Sequence, residues 1–200
     1  MTAAERRFVL GCQRSGTTLM RLLLDAHPLV ASVDEAIAYP VLAGRQDLLA
    51  AMPAADGRPF AVFKIPRLAE QLLEPDARDE AYGTFPAFYH GEPAVHLVRD
   101  PRDVVASMRA LRASTGRSWI ATYGPATIRH RIRERPGFAD AYAAELDLLE
   151  RHDWADHIVA AFYWRLKNDP LPRYLDAGLP VLPLRYESLV AEPERVLRRA

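Results

Sequence analysis

The feature that most constrains this chain is a strand–loop–helix pattern near its N-terminus. The short apolar run FVL at 8–10 is followed by GCQRSGTT from Gly11 to Thr18. The mostly apolar segment after it predicts a helix over 17–27 that ends before Pro28. At such a junction the first N–H groups of the helix have no intrahelical partner, and the helix dipole favours negative charge. The pattern therefore predicts a phosphate-binding loop of the form G-x-x-x-x-G.

The side chains of this loop suit an anion with several oxygens. Arg14 supplies a guanidinium that can grip two oxygens at once. Ser15, Thr17 and Thr18 add hydroxyl donors, and Gly16 lets the backbone approach a ligand without a Cβ. The simpler alternative is a structural turn whose hydroxyls cap the helix. Because Thr17 stands where nucleotide triphosphatases carry a lysine, an ATP-dependent kinase is a disfavoured alternative.

The rest of the chain alternates apolar runs with helical patterns. Short apolar runs bounded by turn residues are typical of strands covered on both faces of a parallel sheet. The sequence therefore predicts one α/β domain over 1–200, with three layers (α/β/α) and a mainly parallel central sheet. The predicted strands cover 8–11, 60–65, 94–98 and 180–184, and the predicted helices cover 17–27, 101–112, 139–151, 154–166 and 192–200. Pro183 places the last strand at an edge or a bend.

Two further expectations concern the middle of the chain and its environment. Residues 112–138 are rich in Arg, Gly and Pro and include Trp119 and Tyr123, which predicts an irregular lid or acceptor-contacting insertion. The formal net charge is zero, which argues against nonspecific binding to nucleic acid or to an anionic membrane. The single cysteine, Cys12, and the absence of a signal-like or membrane-spanning segment favour the cytoplasm.

The composition adds two weaker expectations. Only two of the 26 basic residues are lysines, and alanine is abundant, which indicates a GC-rich bacterial genome. The six histidines show no metal-ligand spacing with the cysteine or with paired carboxylates, so we expect no metal.

Two motifs together resemble a known family. GCQRSGTTLMRLLLDAHP resembles the 5′-phosphosulfate loop of sulfotransferases that use 3′-phosphoadenosine 5′-phosphosulfate (PAPS), above all the branch of tyrosylprotein sulfotransferases and bacterial sulfotransferases of unassigned substrate. HLVRDPRDVVASMRA resembles their second motif, which implies that Arg99 and Ser107 hold the 3′-phosphate of the donor. LRYESLVAEPERVLRRA resembles a third segment, which places Tyr186 near the nucleotide. Without the resemblance, Arg99 would be read as an ordinary solvated residue and Tyr186 as a buried core tyrosine.

The resemblance also implies catalytic residues. Lys64 falls at the end of a predicted strand, where the family has a lysine that contacts the sulfate end of the donor. Pro66 stands where small-molecule sulfotransferases carry their histidine base, so the branch that uses a glutamate is the better guide. An ungapped reading puts Glu35 at that glutamate, beside Asp34. The branch's arginine shortly after the glutamate is Ile37 here, which weakens the case for a tyrosine-peptide acceptor.

The sequence thus predicts transfer of a sulfuryl group from PAPS to a hydroxyl or amine. The expected catalytic residues are Arg14, Glu35 and Lys64. The acceptor would be a small molecule or a peptide, and the oligomeric state is left open. A nucleotide-binding protein without turnover is the main alternative, and Asp34 with Glu35 would then only cap a short helix. Family members continue with a basic, glycine-containing segment, so we expect the domain to be cut short at its C-terminus.

Overall fold

The structure is a computed structural model that describes residues 4–45, 47, 57–79, 81–86, 88–116 and 125–200. Within it the chain forms two compact units. The first combines Met1–Arg99 with Leu166–Ala200, and the second is Asp100–Arg165. The expectation of a single domain stays a prediction.

A five-stranded sheet forms the centre of the first unit, and every neighbouring pair in it is parallel. Its strands are β1 (Glu5–Gly11), β2 (Val30–Val33), β3 (Phe60–Lys64), β6 (Ala94–Val98) and β7 (Val181–Arg185), in the spatial order β2-β3-β1-β6-β7. The remaining strands, β4 (Asp76–Asp79) and β5 (Gly83–Pro86), form a separate antiparallel hairpin. Because β1 lies in the middle of the sheet, its C-terminal end lies between those of β3 and β6.

Helices cover both faces of this sheet. The helices of the first unit are α1 (Thr17–Asp25), α2 (Glu35–Leu42), α8 (Leu171–Asp176), α9 (Tyr186–Ala191) and α10 (Pro193–Leu197). Successive residues of a strand point to opposite faces. Phe8 therefore packs in one cluster with Tyr39 of α2, whereas Val9 packs in another with Met20 of α1 and Leu189 of α9. The predicted three-layer α/β fold with a parallel sheet is confirmed.

The second unit is helical in its described part. It contains α3 (Pro101–Thr115), α4 (Pro125–Arg133), α5 (Pro136–Ala141), α6 (Ala143–Arg151) and most of α7 (Asp156–Asn168). Its aromatic side chains pack edge to face: the ring centroids of Tyr142 and Phe162 are 5.8 Å apart, and those of Trp154 and Phe162 are 5.9 Å apart. Such contacts add to the burial of apolar area in holding short helices together.

Several details of the predicted fold were wrong. The strand β2 and the hairpin β4–β5 were not predicted. The described part of 112–138 is mainly helical rather than irregular, and the helix predicted over 139–151 is broken at Tyr142 into α5 and α6. Trp119 and Tyr123 lie outside the described residues. Pro183 was placed correctly, because β7 is an edge strand of the sheet.

The described residues include neither a candidate membrane span nor a candidate metal cluster. None of the described helices has the length and apolar character needed to span a membrane. No group of three or more His, Cys, Asp or Glu among the same residues is arranged to hold a metal ion.

Candidate active site

The glycine-bearing loop runs from the end of β1 at Gly11 to the start of α1 at Thr17, as predicted. The Ser15 N–H donates to the Cys12 carbonyl oxygen at 3.1 Å and closes a tight turn. Arg14, at the tip, has φ 72°, and it is the one non-glycine residue with positive φ in the described part of the chain. Left-handed backbone is costly for a residue with a Cβ and often marks a functional loop. The loop therefore holds an exposed arginine in a strained conformation.

The two loop glycines are required by close contacts rather than by flexibility. Gly11 has φ 130°, and a Cβ there would lie 2.4 Å from the carbonyl oxygen of Leu97 in β6. Gly16, the N-cap of α1, has φ 91°, and a Cβ there would lie 2.3 Å from the aromatic ring of Tyr186. A side chain at either position would push the loop away from its neighbours.

Arg99 and Tyr186 lie against this loop. The Arg99 guanidinium lies over the Tyr186 ring, 4.3 Å from its centroid. Its Nη1 donates to the Arg14 carbonyl oxygen at 3.1 Å. The strand ends of β1 and β6 and the start of α9 thus bring Arg14, Arg99 and Tyr186 to one place. These three residues, which the sequence analysis named as candidates for binding the donor, are thus in contact with one another; their role in binding stays a prediction.

The loop also presents the polar groups that an anion needs. The Ser15 side chain is fully buried, and its hydroxyl has no hydrogen-bond partner among the described residues. Buried polar atoms are normally paired, so an orphaned hydroxyl inside a glycine loop indicates a ligand-binding position. Thr17 is buried at the first turn of α1, and Thr18 is exposed beside it. The loop therefore presents hydrogen-bond donors that an anion could use.

Lys64, at the C-terminal end of β3, links the loop to the predicted base. Its ammonium donates to the Thr18 hydroxyl at 2.9 Å and lies 2.8 Å from Glu35 Oε1 and 3.4 Å from Asp34 Oδ2. Only 7% of the side chain is exposed, which excludes the ordinary surface lysine that the sequence alone allowed. A buried ammonium needs such pairing, because removing a charge from water is costly.

Glu35 and Asp34 lie at the start of α2, but neither acts as a conventional cap. Asp34 is the N-cap of the helix, and its carboxylate makes no capping hydrogen bond. It lies 3.5 Å from Arg21 Nε instead, in addition to its contact with Lys64. Glu35 keeps about a fifth of its side chain exposed. The short helix of the simpler alternative is thus present, yet both carboxylates contact cations of the site.

A third cation of this region was not predicted from the sequence. Arg67, in the turn after β3, has its Nε 4.0 Å from Glu35 Oε2 and its Nη1 3.2 Å from Asp79 Oδ1. Asp79 lies in the hairpin β4–β5, and its carboxylate is fully buried. No local pattern indicates this pair, because one partner belongs to a hairpin that was absent from the predicted fold.

Below the loop lies a buried polar group that the sequence analysis also missed. The ammonium of Lys167 pairs with Glu70 and donates to the Arg67 carbonyl oxygen at 2.7 Å. Burial raises the pKa of the Cys12 thiol, so this cysteine is a poor nucleophile. Burial also lowers the pKa of His96 to about 4, and its Nε2 lies 3.2 Å from Asn168 Oδ1.

Ser107 lies half-buried on α3, in the second unit. Arg99 is the last residue of the first unit. Their joint contact with a 3′-phosphate therefore stays a prediction.

Residues 7–85 match the model of a sulfotransferase family. The chain is 28% identical over 195 residues to protein-tyrosine sulfotransferase 1 of Danio rerio, and this alignment covers 96% of the chain and 50% of that protein. It is 38% identical over 103 residues to protein-tyrosine sulfotransferase 2 of Gallus gallus, and this alignment covers 50% of the chain and 26% of that protein. The chain thus spans half, or less, of these relatives.

Two solved structures share the fold. The sulfotransferase domain from the curacin biosynthetic pathway superposes with a TM-score of 0.58 at 19% identity, over 100% of this chain and 73% of that one. A sulfotransferase from Alicyclobacillus acidocaldarius gives a TM-score of 0.53 at 20% identity, over 99% of this chain and 79% of that one. At these identities the likeness concerns the fold alone. The likeness to the sulfotransferase family itself is carried by residues 7–85 and by the two protein-tyrosine sulfotransferases.

Proposed function

We propose that this chain catalyses sulfuryl transfer from PAPS to a hydroxyl or amine of an acceptor. The observation that carries the proposal is the position of Lys64, whose ammonium contacts both Thr18 of the phosphate-binding loop and the carboxylate of Glu35. A cation between an anion-binding loop and a candidate base is the arrangement that in-line transfer requires.

The donor is held at two places. The loop N–H groups, the Ser15 hydroxyl and Arg14 bind the 5′-phosphosulfate, while Arg99 binds the 3′-phosphate with Ser107 as its predicted partner. Tyr186 lies under the Arg99 guanidinium and over Gly16, so it fixes the spacing of these two anion sites. Two such sites select for a nucleotide that carries phosphate at both ends.

Transfer makes one bond and breaks one. The acceptor oxygen or nitrogen bonds to sulfur as the bond from sulfur to the bridging oxygen breaks, and adenosine 3′,5′-bisphosphate leaves. Glu35 takes the proton of the acceptor, and Lys64 with Arg14 stabilises the negative charge that develops on the bridging and sulfuryl oxygens. Lys64 is already close to the loop, so its shift from Glu35 to the donor needs only side-chain rotation.

The acceptor is proposed only as a class. The relatives named above are protein-tyrosine sulfotransferases, but Ile37 replaces the arginine of that branch, so either a small molecule or a peptide is kept as the acceptor. Residues 112–138 are proposed to contact it. The cytoplasmic location and bacterial origin inferred from composition belong to the same proposal.

Two other functions compete with this one. An ATP-dependent kinase would need a lysine in place of Thr17. A nucleotide-binding protein without turnover would share the donor site, but it would have no need for the contact between Lys64 and Glu35. Binding and turnover therefore have to be measured separately.

Calorimetric titration with adenosine 3′,5′-bisphosphate, ADP and ATP, side by side, tests the donor site. We expect tight binding of the bisphosphate alone, whereas preference for ATP would favour the kinase. Turnover is then assayed with ³⁵S-labelled PAPS and a panel of phenols, alcohols, amines and tyrosine peptides. Selective bisphosphate binding without transfer to any acceptor, in a chain that spans the full length of its relatives, would favour the non-catalytic alternative.

A further inference from the structure

The carboxylate of Glu35 has a cation near each of its oxygens. Lys64 lies 2.8 Å from Oε1, and the Nε of Arg67 lies 4.0 Å from Oε2. If Lys64 shifts to the donor, as the proposed mechanism requires, Arg67 is the cation that stays beside the base. The two cations therefore have different tasks during a reaction.

Arg67 is unusually well fixed for a loop arginine. Its guanidinium is 3.2 Å from the buried carboxylate of Asp79. It lies 5.5 Å from the ring centroid of Tyr39 and 5.8 Å from that of Tyr82, and these two rings are stacked 5.2 Å apart. Only 18% of its side chain is exposed. Contacts of this kind lock a guanidinium in one orientation.

The backbone of Arg67 is fixed as well. Its N–H donates to the Tyr39 hydroxyl at 2.9 Å, and its carbonyl oxygen accepts from the ammonium of Lys167 at 2.7 Å. Burial, together with the negative charge of Glu35, raises the pKa of Tyr39 well above its usual value, so this hydroxyl stays neutral. Tyr39 lies one turn along α2 from Glu35 and thus connects the backbone of Arg67 to the helix that carries the base.

We propose that Arg67 is the positioning residue of Glu35, and that Asp79 and the stacked Tyr39–Tyr82 pair fix it in that role. The inference rests on the proposed function. The resembling branch has an arginine at the position of Ile37 on α2. In this chain a guanidinium lies near Glu35 from another element, because Arg67 reaches it from the turn after β3. The guanidinium of Arg67 lies on the Oε2 side of Glu35, with its Nε 4.0 Å from that oxygen, so its charge favours an orientation in which the other oxygen faces the acceptor once Lys64 turns to the donor.

A purely structural role is the alternative. Arg67 would then serve only to attach the hairpin β4–β5 through Asp79, and its distance from Glu35 would be incidental. The two roles predict different effects of an Arg67 substitution on kcat in a protein that already carries Glu35→Gln. A positioning residue loses its effect in that background, whereas a structural residue keeps it.

The test compares Arg67→Met, Arg67→Lys and Glu35→Gln with the double variant Arg67→Met/Glu35→Gln. Arg78→Met is the matched control, since it removes an exposed arginine from β4 of the same hairpin. We expect Arg67→Met to lower kcat by up to about 100-fold, the order of loss for a misplaced catalytic group. The KM for PAPS and the affinity for adenosine 3′,5′-bisphosphate should stay at wild-type values. Arg67→Lys should recover part of kcat, and Arg67→Met should cost little more in the Glu35→Gln background.

A second measurement needs no turnover and so separates this inference from the proposed function. In ¹⁵N-labelled protein the Nε–H signal of Arg67 is identified by its loss in Arg67→Lys. Glu35→Gln should shift that signal, and Glu194→Gln, an exposed change on α10, should not. An unchanged signal in Glu35→Gln, or full additivity of the two changes in kcat, overturns the inference. If the signal shifts while no acceptor is sulfated by a chain that spans the full length of its relatives, the contact between Arg67 and Glu35 holds and the proposed function fails.

Discussion

At the scale of single residues, the contact between Gly16 and Tyr186 gives the sharpest test of the proposed donor site. Gly16→Ala would place a methyl group 2.3 Å from the Tyr186 ring at a φ of 91°, so the loop or the ring must move. We expect weaker binding of adenosine 3′,5′-bisphosphate by at least about tenfold, corresponding to roughly 1.4 kcal/mol of strain. Titration calorimetry measures this affinity.

Gly137→Ala is the control for that prediction. Gly137 lies in α5, a Cβ added there would have no neighbouring atom within 4 Å, and its φ is not positive. Alanine favours a helix over glycine, so the stability should stay equal or rise slightly. Equal bisphosphate affinity of Gly16→Ala and Gly137→Ala would show that the ligand does not use this loop.

Glu35 gives the second prediction at this scale. Glu35→Gln keeps the size of the side chain and removes the proposed base, so transfer should fall by about 10²- to 10⁴-fold, the usual contribution of a general base. Bisphosphate affinity should change little, because Glu35 contacts Lys64 rather than the loop itself. Steady-state kinetics beside calorimetry separates the two effects, and wild-type turnover in Glu35→Gln would remove this residue from the mechanism.

Candidate residues that lie in local motifs could be named from the sequence. Arg14 and Gly16 belong to one contiguous loop, and Lys64 ends an apolar strand, although its proposed role needed the resemblance. Arg67 and Asp79 could not be found in this way. They are 12 positions apart and meet only because a hairpin folds back on the turn after β3. Glu35 needed the resemblance, since nothing local distinguishes its carboxylate from a helix cap.

At the scale of elements, the parallel strands were predictable and the hairpin was not. β1, β3 and β6 are largely covered and read as apolar runs. The sequences of β4 and β5, DARD and GTFP, carry no such run. They form a strand pair because alternate residues, including Ala77 and Phe85, are buried in the core of the first unit. This burial depends on tertiary packing, so neither segment's own sequence indicates it.

The buried ion pair between the end of α7 and the turn after β3 gives a prediction at this scale. Lys167→Met leaves the carboxylate of Glu70 buried without its cation, which should cost about 3–5 kcal/mol of unfolding free energy. The double change Lys167→Met/Glu70→Leu should recover most of that loss, because apolar side chains can replace a buried pair. Urea unfolding measures both.

Arg151→Met serves as the control for that pair. It breaks an exposed ion pair with Asp147 one turn away on α6, and exposed pairs contribute little. A loss of stability in Lys167→Met no larger than in Arg151→Met would mean that the buried pair does not join the two segments.

At the scale of the whole molecule, His96 makes folding sensitive to acid. It lies on β6, between β1 and the edge strand β7, and is fully buried with Asn168, Glu70 and Lys167 as its polar neighbours. Burial, the largest cause, lowers its pKa to about 4 from 6.5, so between these values the unfolded chain binds a proton that the folded chain does not. Stability is therefore complete above about pH 6.5, falls as the pH is lowered, and stops falling on this account near pH 4.

The size of that effect follows from the same two values. A difference of about 2.5 units corresponds to roughly 3 kcal/mol, since one unit is worth about 1.4 kcal/mol. Urea unfolding at steps between pH 7 and pH 4 should show this slope in wild-type protein. His96→Asn, which keeps a polar side chain near Asn168 but cannot titrate, should start less stable and lack most of the slope. His27→Asn, an exposed change at the end of α1, is the control, and it should keep the wild-type slope because the proton affinity of His96 depends on burial in the sheet. A slope that survives in His96→Asn would assign the acid sensitivity to other groups.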